Sequence, residues 1–123
     1  FSDPKLRQKI NQLIHPVVRE DFKHWKEGFQ DEKFIFNEAA ILFETGAYVN
    51  YDSVILVHAP LEIKLDRIKK RDGVCEEEVL KKMKAQWTDE EKMKHTPYHI
   101  LNDGKHPIED RISMLLKQLS RPI

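Results

Sequence analysis

Apolar positions recur at helical spacing from the start of the chain: Leu6, Ile10, Leu13 and Ile14 share one helical face. Ser2 or Asp3 can cap this helix, and Pro4 suits its first position, where a missing N–H costs nothing. His15-Pro16 predicts a bend or a restart, because proline removes a main-chain donor. Val17, Val18, Phe22, Trp25 and Phe29 carry the apolar face on to about Gly28. Residues 4–29 therefore read as a helical hairpin or a kinked helix. The period then changes. Lys33 to Asn37 (KFIFN) is an aromatic and β-branched run that predicts a short strand. Ala39 to Phe43 is apolar and closes at Glu44-Thr45-Gly46. Ser53 to His58 (SVILVH) is the clearest strand, and its nearly continuous apolarity fits a sheet covered on both faces.

Ala59-Pro60 follows at once, and a helix carrying Leu61, Leu65 and Ile68 begins. It ends at Arg71-Asp72-Gly73, where Gly73 can supply a left-handed cap. Another helix is predicted over about 76–86, with Val79, Met83 and Trp87 in step. Thr88 and Glu91 form a capping box for a further one, which Pro97 stops. Tyr98 to Leu101 reads as a short strand and Asn102-Asp103-Gly104 as its turn. Ile108, Ile112, Leu115, Leu116 and Leu119 mark a closing amphipathic helix. Strands alternating with helices predict an α/β domain with a parallel sheet of about three visible strands. The connection between the last two strands takes roughly 40 residues, more than one crossover helix requires. It is rich in Glu and Lys, as either a mobile cover over a site or a solvated helix pair would be.

Composition narrows the classes. The chain has 123 residues, one ordinary domain or a piece of one. With 40% hydrophobic residues it can fill a core, which argues against wholesale disorder. Lys plus Arg number 21 and Asp plus Glu number 21, so the basic excess of a general nucleic-acid coat is absent. The longest apolar run is about seven residues, far short of the ~20 a membrane span needs. The single cysteine, Cys75, excludes an internal disulfide and a multi-cysteine zinc cage, and a cytoplasmic protein is expected. The first residue is Phe, which fits processing or truncation.

Several positions could do chemistry. Arg67 and Arg71 are four apart, so a helix points both along one face. Guanidinium groups grip phosphate at two points and stay charged, so this pair could close over a nucleotide. With Asp66 and Asp72 nearby, it could equally be a salt-bridged surface. Glu44 follows an apolar segment after a predicted strand, and ligands of open α/β sheets gather at carboxyl ends of strands. It could contact substrate, orient a loop, or simply terminate a turn. Asn102-Asp103-Gly104 also follows a strand and could present backbone groups to a base or be only a turn. His95 and His99 are split by Pro97 and share no regular helix face, and no H-E-x-x-H or G-x-S-x-G pattern occurs. No G-x-x-x-x-G-K-[ST] loop occurs either. The four glycines, Gly28, Gly46, Gly73 and Gly104, stand far apart.

Taken in order, a set of fragments resembles the carboxyl-terminal two-thirds or so of dephospho-coenzyme A kinases. They run Phe1-Ser2-Asp3-Pro4, Leu13-Ile14-His15-Pro16-Val17-Val18-Arg19 and Ile41-Leu42-Phe43-Glu44-Thr45-Gly46. The order continues with Val54 to Val57, Arg67-Ile68-Lys69-Lys70-Arg71-Asp72-Gly73, Glu76-Glu77-Glu78, Ala85-Gln86, Glu91-Lys92 and Ile100 to Gly104. The sequence departs from the family pattern at Ala40, Cys75, Trp87 and Leu101, where proline, Ser or Thr, a smaller side chain and Asp are common.

The resemblance implies a P-loop kinase fold: a parallel sheet, a helical CoA-binding region and a helical lid. It implies transfer of the ATP γ-phosphoryl to the ribose 3′-hydroxyl of dephospho-CoA, with Mg²⁺. Residues 1–30 would be the CoA-binding region, 31–68 and 96–123 parts of the core, and 69–95 the lid. Arg71 would reach ATP phosphates with Arg67 in support, and Asn102 and Gly104 would lie near the adenine. His15, Glu44 and Gln86 would face the acceptor substrate. The family's glycine-rich loop, its lysine, the metal-binding hydroxyl and the proposed aspartate base would precede residue 1. This chain alone is then expected to be inactive, and to self-associate through exposed core surface. Another nucleoside or nucleotide kinase of this fold, or a non-catalytic interaction domain, are the alternatives.

Overall fold

The computed structural model describes residues 3–120 and divides the chain into two units, Phe1–Glu38 and Ala39–Ile123. In the first unit, helix α1 spans Pro4–Glu27. Asp3 is its cap: the carboxylate accepts from the N–H groups of Lys5 at 3.0 Å and Leu6 at 3.4 Å. Ser2, the other candidate cap, lies outside the described residues, as does Phe1. The helix runs as one element through Pro16, so of the two expected forms, a hairpin or a kinked helix, the hairpin is excluded. Proline removes a single donor, and the turns on either side continue the helix. Phe22, Trp25 and Phe29 line up near its end, with ring centroids 5.8 and 4.7 Å apart in succession. The row Leu6, Ile10, Leu13, Ile14, Val17 and Val18 is exposed along the helix. Lys33 to Asn37 forms no strand. Its composition suits one, but a strand exists only with a partner, and the one sheet among the described residues has two strands, both in the second unit.

The second unit is an α/β layer structure with a parallel sheet, as the alternation predicts. Strand β1 is Ile55–His58 and β2 is Tyr98–Leu101, in register from Ile55 opposite Tyr98 to His58 opposite Leu101. Between them run α2 (Leu61–Asp72), α3 (Glu76–Met83) and α4 (Asp89–Met93), and α5 (Glu109–Leu119) follows β2. Gly73 ends α2 at φ 64° and donates its N–H to Lys69 O at 2.9 Å. A side chain there would be strained, which explains the helix stop. Helix α3 stops at Met83, short of the expected 86, and residues 84–86 continue as turns. Cys75 makes no side-chain cap bond. Thr88 does, accepting from Glu91 N–H at 3.2 Å. Upstream, Gly46 at φ 74° leads into a short 3-10 helix, Ala47–Asn50.

The core of this unit is Phe43, Leu56, Leu65, Val79, Ile100 and Leu115, drawn from every layer. Burying side chains of this kind contributes about 1.5–3 kcal/mol each. Thr96 joins the strand entrances: its buried hydroxyl donates to Val54 O at 2.5 Å and accepts from Tyr98 N–H at 3.2 Å. On β1, Leu56 is buried but Val57 is 57% exposed. The sheet is therefore covered on one face, not on both as the apolar run predicts. Among the described residues the sheet has two strands, not the expected three, because KFIFN does not join it.

Candidate functional site

Two parallel strands deliver the chain to the same edge of the sheet, the usual place for a ligand in such folds. There the ladder extends one residue further, as Asn102 N–H donates to His58 O at 2.8 Å. The Asn102 carbonyl turns to α2 and accepts from Arg67 Nη1 at 2.8 Å. Gly104 adopts φ 77°, and a Cβ on it would stand 3.6 Å from Arg67 Nη2. Arg67, Asn102 and Gly104 are thus brought together, across 35 residues of sequence. Asp103 builds the turn between them. Its carboxylate accepts from His106 N–H and Lys105 N–H, each at 2.9 Å, and from His106 Nδ1 at 2.7 Å. Those two backbone donors, and then the His106 ring, hold the Asp103 carboxyl well below the usual range.

Arg71 lies one turn further along α2, exposed, with Nε and Nη2 on Asp72 at 2.8 and 3.0 Å. This hydrogen-bonded pairing raises the guanidinium's affinity for its proton and lowers that of Asp72. Lys70 pairs with Asp66 at 2.9 Å and Lys69 with Glu76 at 3.8 Å. The far end of α2 is therefore a solvated, salt-bridged surface, and Arg71 would have to leave Asp72 to grip a phosphate.

Glu44 faces inward. Its Oε2 accepts from Trp87 N–H at 3.4 Å and lies 3.7 Å from Lys92 Nζ on α4, while Oε1 is buried with no hydrogen-bond partner. Around the pair, Phe43 packs against Tyr48, Trp87 and His95, with centroids 5.2, 6.3 and 5.8 Å away. An ion pair between Lys64 of α2 and Asp89 of α4 holds α4 from its other end. Gln86 is exposed in the turn after α3, immediately before the Trp87 N–H that Glu44 holds. His15 lies half-buried on α1 in the other unit. Sequence reasoning did not single out Lys92, Trp87 or His95 as partners of the Glu44 segment. They stand more than 40 residues away, and no local spacing signals the contact.

Among the described residues no group of three or more His, Cys, Asp or Glu side chains could hold a metal ion. The residues here do not fit a Mg²⁺ site, so no chemical step is derived through one. No described helix is long and apolar enough to cross a membrane.

The family described as CoaE, dephospho-CoA kinase, matches residues 1–107. A dephospho-CoA kinase of Bacteroides fragilis (strain YCH46) is 32% identical over 123 residues, which is 100% of this chain and 60% of the relative. One from Chlorobaculum tepidum is 40% identical over 106 residues, 85% of this chain and 50% of the relative. The crystal structure of TT1252 from Thermus thermophilus superposes with a TM-score of 0.77 at 32% identity, covering 98% of this chain and 61% of that one. The chain thus spans 50–61% of the length of these similar proteins.

Proposed function

The chain belongs to the dephospho-CoA kinase family, and on that premise we propose that the whole protein uses ATP to phosphorylate dephospho-CoA. The acceptor would be the 3′-hydroxyl of the ribose and the product coenzyme A, made in the cytoplasm. Family membership over residues 1–107 carries this reading. The clustering of Arg67, Asn102 and Gly104 at the strand ends supports it, since that is where a nucleotide would sit.

Phosphoryl transfer asks a protein mainly for positioning and for charge that stabilises the moving group. In this chain Arg67 supplies a fixed guanidinium beside the adenine-side turn of Asn102 and Gly104. Arg71 supplies a second, on an exposed helix end, free to swing from Asp72 to the phosphates as residues 69–95 close as a lid. Residues 1–30, with His15, would form the CoA-binding region, and 31–68 with 96–123 parts of the core. Glu44 and Gln86 would serve the acceptor side. Mg²⁺ and its ligands, together with the phosphate-cradling loop, would be supplied from outside these residues. The open face at Val57 supports a larger sheet in the whole protein, and this chain in isolation would self-associate there.

Arg71→Ala in the whole protein tests the assignment. Turnover should fall on the order of 10²-fold, as for a lost transition-state charge clamp. A fall of less than about threefold would remove Arg71 from that role.

A further inference from the structure

A buried carboxylate lies beneath the turn that carries Gln86. The Glu44 side chain is 12% exposed and that of Lys92 11%, their charged ends are 3.7 Å apart, and Glu44 Oε1 has no donor. For stability alone this is a poor arrangement. Removing two charges from water costs more than a pair at this separation returns, and packed apolar side chains would fill the space as well or better. A buried acceptor with no donor adds a further cost. The surroundings would suit an apolar replacement, because Phe43, Tyr48, Trp87 and His95 already pack as a ring cluster. Local rules broken at one place in a consistent fold mark a functional demand.

What the pair holds is main chain. Glu44 Oε2 accepts from Trp87 N–H, so it fixes the peptide plane joining Gln86 to Trp87. Residues 84–86 have left helix α3 as a turn whose N–H groups bond back to the Leu80, Lys82 and Met83 carbonyls at 3.1, 3.3 and 3.1 Å, and the Trp87 N–H that follows is the donor Glu44 ties from across the fold. Lys92 sits on α4, which the Lys64–Asp89 pair ties to α2. A rigidly mounted ammonium therefore sets the direction of Glu44, and Glu44 sets the direction of the Gln86–Trp87 peptide.

We propose that Lys92 is a positioning residue: acting through Glu44, it aims Gln86 at the acceptor substrate. This rests on the dephospho-CoA reading above, with Gln86 on the acceptor side. The contacts run from Lys92 to Gln86 without touching Arg67, Asn102 or Gly104, so the effect is confined to one of the two substrates.

The test uses the whole protein with Lys92→Met, Lys92→Arg and Glu44→Gln. Lys92→Met should raise KM for dephospho-CoA about tenfold, roughly the factor one lost hydrogen bond represents. KM for ATP should stay within about twofold and kcat within about threefold of the parent, because no phosphate contact changes. Glu44→Gln should follow Lys92→Met, and Lys92→Arg should restore most of the acceptor affinity. Hydrogen exchange at the Trp87 amide should accelerate about tenfold or more in Lys92→Met, with the Gly73 and Asn102 amides unchanged. An unchanged acceptor KM overturns the proposal. So does a joint fall of both KM selectivity and kcat that tracks the melting temperature, or an unaltered Trp87 amide. If the parent fails to phosphorylate dephospho-CoA, the functional reading falls, and the exchange result decides this inference by itself. Should Lys92→Met not fold, Lys92→Arg and Glu44→Gln carry the same measurements.

Discussion

Arg67→Met in the whole protein separates what this guanidinium does for the fold from what it does for the site. The substitution keeps most of the apolar stem but removes the donor 2.8 Å from the Asn102 carbonyl. Asn102 is half-buried, so water can replace the lost partner. The loss is then one net hydrogen bond, about 0.5–1.5 kcal/mol, and not the full penalty of a stranded acceptor. The turn keeps its other anchors: Asn102 N–H on His58 O, and three donors on the Asp103 carboxylate. Chemical denaturation should therefore show a loss of no more than about 1.5 kcal/mol. If Arg67 supports ATP binding as proposed, activity should fall much further, by roughly 10- to 100-fold in kcat/KM for ATP, the worth of a preorganised positive charge near the nucleotide. A coupled ADP assay beside a urea titration reads both. Kinetics within about threefold of the parent, with a stability loss of about 3 kcal/mol or more, would make Arg67 a structural strut and refute the argument.

Other positions give separate checks. Gly104→Ala should cost about 1–2 kcal/mol in denaturant titrations, because φ 77° strains an L side chain. The space itself is tolerable, with Arg67 Nη2 as far as 3.6 Å, so an unchanged midpoint would dismiss the strain argument. Thr96→Val should destabilise by about 1–3 kcal/mol, since it strips a buried hydroxyl from Val54 O and Tyr98 N–H. A neutral result would show that the strand entrances do not depend on that bridge. For Asp103 the folded-state carboxyl is held below its ordinary value, so its stabilisation is complete above the unfolded value of about 3.9 and is lost as pH falls further. The stability gap between the parent and Asp103→Asn should accordingly be constant from neutral pH to about 5 and shrink below about 4. A gap that closes near neutrality would assign it to another group.

Many of the elements are legible in the chain because their signals are local. Asp3-Pro4, Thr88 and Gly73 mark helix ends through chemistry that acts within one turn, and each does so in the structure. The last four residues of SVILVH, Ile55–His58, and Tyr98 to Leu101 become the two paired strands. The failures are non-local. KFIFN has strand composition but joins no sheet among the described residues, and strand pairing is not encoded in five residues. Pro16 suggests a bend or a restart, and the restart does not occur, because one lost bond does not outweigh the turns around it. Within the site, sequence reasoning identifies Arg67, Asn102 and Gly104 separately, but their meeting depends on how α2 packs beside the sheet edge. Glu44 is singled out by its place after an apolar segment. That it turns inward to Lys92 follows from tertiary packing between residues 48 positions apart, as their numbers show.

The central claim is tested most directly by offering the whole protein ATP with dephospho-CoA and, separately, with nucleoside monophosphates, and identifying the products by mass and ³¹P NMR. The account predicts stoichiometric ADP and a new phosphomonoester on the ribose 3′-oxygen of dephospho-CoA, with little turnover of the monophosphates. Phosphorylation of a nucleoside monophosphate with dephospho-CoA left intact would contradict it.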